Sequence, residues 1–244
     1  MKIVCFIEAR LRSTRLPGKV LKPILGKPML ELMVERLKRA RTLDGIVIAT
    51  TDQPADDPIA ATGDRIGVGV FRGSEDDVLG RVLGAALAWH TDVIVETTGD
   101  CPLHDPAIVD KVVADFRIGG ADFVSNTLNY TTPRGTEVRV FTTAALQQVN
   151  RISNDPADHE HVSLYFWEHP EKYRLRNVPT ELPADVSQLR LTVDTPEDFE
   201  LIRIIYEELY PIKREFNLAD VIEVFRRNPH LLEINRQVQQ KPVR

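Results

Sequence analysis

The chain has 244 residues, 43% hydrophobic and 27% charged, the mix of an ordinary globular protein and a length that fits one large domain or two small ones. Lys and Arg number 31 against 36 Asp and Glu, a net charge of −5 that argues against broad nucleic-acid binding. Two cysteines cannot build a disulfide framework, and no apolar run approaches the ~20 residues of a membrane helix.

The opening Met1-Lys2-Ile3-Val4-Cys5-Phe6-Ile7 reads as a strand and not as a cleavable signal, so the expected compartment is the cytoplasm. Short runs rich in Val, Ile, Leu or Thr at 3–7, 45–50, 68–71, 92–97, 121–125, 137–141, 173–177 and 188–193 are predicted strands. Helical patterns are predicted between and after them, at 28–41, 55–65, 76–90, 105–117, 143–151, 158–168, 196–210 and 218–227. Pro28 is placed to open the first of these, and Leu30, Val34, Leu37 and Arg41 mark its face. Strands alternating with helices imply βαβ units and a mostly parallel sheet. Strands set closer together after Ala121 imply a mixed sheet with an inserted segment. No repeat or long linker divides the chain. The expected organisation is one α/β domain over 1–234 and a polar, frayed tail over 235–244.

The loop after the first strand is the first to carry chemistry. It places Arg10, Arg12, Arg15 and Lys19 within ten residues, together with Ser13, Thr14 and Gly18. Ligands of open α/β sheets bind beyond the carboxyl ends of the strands. Arg forks match phosphate oxygens there, and Lys supplies a mobile point charge. The spacing is not that of a Walker A loop; the alternative is a solvated basic loop. Asp100, in Thr98-Gly99-Asp100-Cys101-Pro102, and Asp194, in Val193-Asp194-Thr195-Pro196, each follow a predicted strand. Two such carboxylates suit Mg²⁺, which takes one or two of them plus phosphate oxygens. Asp194 has a simpler alternative role, bracing the start of a helix capped by Thr195 and Pro196. In Arg72-Gly73-Ser74-Glu75-Asp76-Asp77, Ser74 is placed to cap the next helix, and a ligand role for Arg72 and Ser74 is open.

Other signals point away from a site. His159 and His161 are two apart and make a poor metal pair on a helix, and no zinc-type motif is present. Cys5 belongs to the core, Cys101 has no partner that demands a nucleophile, and Trp89 and Trp167 are packing anchors.

The blocks Arg10-x-x-Ser13-Thr14-Arg15-Leu16-Pro17-Gly18-Lys19, Arg72 through Leu79, Thr98 through Leu103, and Val193 through Asp198, in that order, resemble the spore-coat-polysaccharide cytidylyltransferase family, relatives of the CMP-KDO and CMP-sialic acid synthetases. The resemblance implies a Rossmann-like GT-A-type nucleotidyltransferase fold, a mixed, mostly parallel sheet flanked by helices. It implies transfer of CMP from CTP to an acidic or phosphorylated sugar with release of pyrophosphate, Mg²⁺ as cofactor and a homodimer. By position, Arg10, Ser13, Arg15 and Lys19 would hold the triphosphate, with Arg15, Lys19 and Asp100 catalytic. Asp100 and Asp194 would hold the metal, and Arg72, Ser74 and Thr98 would lie near the nucleoside. Glu137, His161 and Tyr165 would face the acceptor. The alternatives are a same-fold enzyme using UTP or GTP, and a non-catalytic binding module.

The chain departs from the family at Glu8, Leu11 and Arg12, where Gln, Met and Gly are usual. It departs again at Glu137 and Arg139, where Asp and an acid are usual, and at Ser163 and Leu164 of the His161-to-Tyr165 block. Arg12, replacing a Gly, is expected to point to solvent because Arg10 and Arg15 already supply forks.

Overall fold

Ile3, Val4, Cys5, Phe6 and Ile7 of strand β1 (Ile3–Glu8) are all inaccessible to solvent, as expected for a parallel strand covered on both faces. Strands β4 (Gly45–Thr51) and β6 (Val93–Thr98) pair with it in parallel on either side, and β5 (Gly69–Gly73) extends the sheet beyond β4. β8 (Arg139–Thr142) runs antiparallel to β6, β7 (Phe123–Ser125) runs antiparallel to β8, and β9 (Leu175–Asn177) pairs in parallel with β7. The computed structural model describes residues 1–129, 131–182 and 184–241. Among these, the strand order is β5-β4-β1-β6-β8-β7-β9, with a separate two-stranded hairpin of β2 (Pro23–Ile24) and β3 (Lys27–Pro28). The expected mixed, mostly parallel sheet is therefore present.

Helices cover both faces. Ile3, Cys5 and Ile7 pack against α1 (Met29–Leu37), α2 (Asp57–Arg65) and α4 (Pro106–Ile118). Val4 and Phe6 face α3 (Val78–Ala88), α5 (Thr143–Ile152) and α7 (Leu164–Glu168). A third cluster forms around α8 (Pro196–Leu209) and α9 (Leu218–Arg227). Among the described residues, no helix is long and apolar enough to cross a membrane.

Three expectations change. The predicted helix at 158–168 is two short helices, α6 (Pro156–Glu160) and α7, because the chain turns at 161–163 and both Val162 and Phe166 reach the core. The predicted strand at 188–193 joins no ladder. Its alternation is real, with Leu189, Leu191 and Val193 buried under α8 and α9, but its backbone bonds go to loops. Leu191 N donates to Arg134 O (2.7 Å) and Val193 N to Asp100 O (2.8 Å). The expected frayed tail over 235–244 is anchored at two points among its described residues, Asn235 and Gln240. Asn235 is buried, its Nδ2 donating to Arg190 O (3.0 Å) and Asp198 Oδ1 (2.8 Å). Residues 242–244 lie outside the described residues.

The meeting of the 133–137 loop with the 188–193 segment needs a glycine. Gly135 has φ +95°, and a Cβ there would stand 2.5 Å from Thr192 N and 2.6 Å from the Leu191 carbonyl carbon. Both obstacles are backbone. Gly135→Ala is therefore expected to cost roughly 1–3 kcal/mol or more; an unchanged urea midpoint would contradict this close approach.

His159 ties α6 to the start of α3. Its Nδ1 lies 2.7 Å from Asp77 Oδ1 and its Nε2 3.1 Å from Ser153 O, so both ring nitrogens face acceptors, an arrangement that favours the imidazolium. The Asp77 hydrogen bond raises its pKa above the ordinary histidine value. A raised folded pKa means the stabilisation is fully present below the unfolded value and is lost as pH rises through the folded one. The destabilisation caused by His159→Gln, read from urea melts at acidic and alkaline pH, should be larger on the acidic side and shrink with rising pH.

Candidate active site

The chain builds β4 and β5 on one side of β1 and then returns to build β6 on the other, so the crevice between the ends of β1 and β6 is a topological switch point. The register sets Glu8 opposite Thr98. Gly99 N donates to Glu8 O (2.8 Å), so the loop carrying the Arg/Lys run and the loop carrying Asp100 leave the sheet side by side.

Lys19 opens a short 3₁₀ turn, Lys19–Leu21, preceded by Gly18 at φ 70°. Its buried Nζ donates to Asp100 Oδ2 (2.7 Å), Val193 O (2.8 Å) and Asp194 Oδ1 (3.0 Å). Burial alone would lower the ammonium's pKa, but the two carboxylates more than offset it and the net shift is upward. Burial alone would likewise raise Asp100, yet Lys19 and a hydrogen bond from Thr98 hold it below the ordinary carboxylate value. Asp194 also receives Arg15 Nη2 at 3.0 Å on Oδ1 and Arg190 Nη2 at 2.6 Å on Oδ2. Arg190 Nε reaches on to Asp198 Oδ1 (2.9 Å) and its Nη1 to Gln240 Oε1 (2.7 Å). Asp198 in turn accepts from the backbone N–H groups of Asp194 (2.9 Å) and Thr195 (3.1 Å) in a capping box that starts α8. Asp194 thus stands at a helix start, as its simpler reading required, and its side chain also faces the crevice cations.

Three cations, Arg15, Lys19 and Arg190, alternate with three carboxylates, Asp100, Asp194 and Asp198. Two of the carboxylates converge on one ammonium position. That convergence fits a divalent cation bound by two hard oxygen donors and completed by phosphate oxygens. Among the described residues, no group of three or more His, Cys, Asp or Glu side chains is placed to hold a metal alone.

The other sequence candidates divide. Thr98 Oγ1 donates to Asp100 Oδ1 (2.6 Å), so it orients that carboxylate. Ser13 Oγ accepts from Leu16 N at 3.4 Å and braces the loop. Arg10 is half-buried. Arg12 is 79% exposed and pairs with Glu75 at 3.3 Å, in keeping with the solvent-facing expectation. Arg72 lies two strands away, on β5. Its guanidinium goes to Thr51 O, Gln53 O and Asp57, and Ser74 accepts from Asp77 N. Glu137 accepts from Gly135 N (2.7 Å). Tyr165 is buried; its hydroxyl accepts from Lys172 (2.6 Å) and its ring stacks on His169. His161 is half-buried, and burial lowers its pKa, against the opposing pull of Glu160 and Glu96. Burial also raises the Cys101 thiol, and Asp100 adds to the effect, so that cysteine is poorly suited to nucleophilic work. Arg190 is the residue missed from sequence. Its spacing, four before Asp194 and eight before Asp198, was the available signal.

Comparison with known proteins shows which family the chain belongs to. A family model described as cytidylyltransferase matches residues 4–237. The spore coat polysaccharide biosynthesis protein SpsF of Bacillus subtilis is 34% identical over 232 residues, covering 93% of this chain and 95% of that protein. A cytidylyltransferase from Leptospira borgpetersenii superposes with a TM-score of 0.90 at 36% identity, covering 99% of both chains. A CMP:2-keto-3-deoxy-manno-octonic acid synthetase solved with CTP shares the fold, with a TM-score of 0.64 at 19% identity over 86% of this chain and 100% of the other. The chain belongs to the cytidylyltransferase family of nucleotidyltransferase enzymes.

Proposed function

We propose that the chain transfers CMP from CTP to a sugar acid or phosphorylated sugar, releasing pyrophosphate, as a step in making surface-polysaccharide precursors. The observation that carries this reading is Lys19 Nζ held between Asp100 and Asp194 at the switch point. The B. subtilis relative acts in spore coat polysaccharide biosynthesis, and the synthetase of the same fold was solved with CTP; both support the choice of nucleotide and product class.

The bond made joins an acceptor oxygen to the α-phosphorus, and the bond broken frees pyrophosphate. Such a reaction needs positioning and charge neutralisation more than covalent help. Lys19 and Arg15 are the groups placed to follow the triphosphate, exchanging carboxylate partners for phosphate oxygens. Arg190 stays behind, keeping Asp194 Oδ2 occupied and Oδ1 turned into the crevice. Asp100 and Asp194 would hold Mg²⁺, which when bound supplies Lewis-acid polarisation and charge neutralisation.

The reading is tested by pyrophosphate release with CTP, UTP, GTP and ATP against a panel of sugar acids, sugar phosphates and polyol phosphates. CTP is expected to be the preferred nucleotide, and equal or faster release with UTP or GTP would overturn the cytidine assignment. Lys19→Ala should lower kcat by about 10²-fold or more, and Asp100→Asn or Asp194→Asn by roughly 10²–10³-fold, as for the loss of one preorganised electrostatic group. Near-wild-type turnover of both Asn variants at limiting Mg²⁺ would place the metal elsewhere. Arg12→Gly should change kcat/KM by less than about fivefold, since its ion pair is exposed.

A further inference from the structure

Charged groups around the crevice are partnered unevenly. On the α3-facing side of the sheet, Glu8, Glu96 and Arg139 share one strand face, and Glu8 Oε1 and Glu96 Oε2 are buried without hydrogen-bond partners. Behind Asp194 the charges are paired, and the last segment of the chain takes part. Beyond α9 and a 3₁₀ turn at Pro229–Glu233, Asn235 is buried, and its Nδ2 holds Arg190 O and Asp198 Oδ1. Val238 N donates to Asn235 O (3.0 Å), and past this turn Gln240 Oε1 accepts from Arg190 Nη1 (2.7 Å). The segment therefore grips Arg190 twice, at its carbonyl and at its guanidinium.

The guanidinium of Arg190, a side chain only 10% exposed, is divided among three acceptors. Nε and Nη2 form a fork on Asp198, with Nε–Oδ1 at 2.9 Å and Nη2–Oδ2 at 3.3 Å. Nη2 also meets Asp194 Oδ2 at 2.6 Å, and Nη1 goes to Gln240. A guanidinium matches a carboxylate best when two of its nitrogens meet both oxygens. With Nη1 released, the Nη1/Nη2 edge has that match available in Asp194. Gln240 takes Nη1 out of it, and does so with a neutral amide oxygen that adds no charge to compete with Asp194 and Asp198. Asp194 Oδ1 is thereby left to Lys19 and Arg15. Gln240 itself is exposed, so its link to Arg190 is a larger contribution than any burial of its own.

We propose that Gln240 is a positioning residue for Asp194: acting through Arg190, it keeps the guanidinium on one oxygen of that carboxylate and leaves the other open to the metal. The inference rests on the reading of Asp100 and Asp194 given under the proposed function, and deepens it by making the C-terminal segment part of the site. A guanidinium seated on both oxygens of Asp194 would compete with a divalent cation for the same hard donors. Held by Gln240 on one side and by Asp198 on the other, it neutralises Asp194 without enclosing it. Gln240 touches neither nucleotide nor metal in this scheme; its effect is confined to how tightly the metal–nucleotide complex is held.

The test measures Mg²⁺–CTP binding by calorimetry, with the urea midpoint as the control for folding. Gln240→Met keeps the length of the side chain and removes the acceptor. It should raise the Kd by about three- to tenfold, the range of one ordinary hydrogen bond, with the urea midpoint and the binding of CTP in EDTA both unchanged. Gln240→Glu restores an acceptor for Nη1 and should bind within about twofold of wild type. In an Arg190→Lys background, whose ammonium has no fork to turn, Gln240→Met should change the Kd by less than about twofold. An unchanged Kd in Gln240→Met, an equal loss in EDTA or in the Arg190→Lys background, a Glu variant as weak as the Met one, or a loss that tracks a falling urea midpoint overturns the proposal and leaves the activity standing. Wild type that binds CTP no more tightly with Mg²⁺ than in EDTA refutes the metal site of the proposed function itself, and with it this inference.

Discussion

One buried ammonium, shared by two carboxylates, joins three stretches of chain that are far apart in sequence. Lys19 comes from the loop after the first strand, Asp100 from the loop after β6, and Asp194 from the turn into α8. Burying any of these charges alone would cost several kcal/mol. Together they satisfy one another, and Arg15, Arg190 and the Val193 carbonyl complete the set. The arrangement keeps three cations and two crevice carboxylates close together, because each serves as the counter-ion of the other. On the proposed function, binding a metal–polyphosphate complex would exchange partners and leave no charge unpaired.

The crevice beyond the strand ends and the α3-facing side of the sheet carry different electrostatics, and the strand register explains the division. The crevice at the switch point is formed by loops, where side chains can turn toward one another and pair fully. The Glu8–Glu96–Arg139 cluster projects from the strands themselves, at positions set by the two-residue alternation. Strand side chains have less freedom to find partners, and their unsatisfied oxygens persist.

Much of this architecture was legible in the sequence because burial leaves a pattern. β1, β4 and β6 each carry an apolar run since both faces are covered, and the helix start at Thr195 carries the capping residue whose side chain makes the expected bond. The Lys19 loop was legible from charge density at a strand end. Legibility failed where partners were distant. Leu189, Leu191 and Val193 alternate as a strand would, yet their neighbours are loops and two helices, and alternation does not encode what lies across it. Arg190 is the one charged residue of that run, and only the fold brings Asp194, Asp198 and Gln240 around it. Arg72 sits in a recognisable block, but its guanidinium is spent on β4 and the start of α2.

The reach of the Lys19 contact also has a kinetic side. Its partners Val193 and Asp194 lie 174 and 175 residues away, and Asp194 is held by Arg190, which is itself braced by Asn235 and Gln240. Closing so long a loop is entropically expensive and is deferred until local structure has formed. Strands β1, β4, β5 and β6 with helices α1 to α4 can assemble from the first 120 residues or so, as βαβ units do. The crevice cannot, since its last brace is contributed some 120 residues later. During synthesis the polypeptide would therefore hold a folded scaffold with an unassembled charge network, gaining its binding geometry only when the C-terminal segment closes over Arg190.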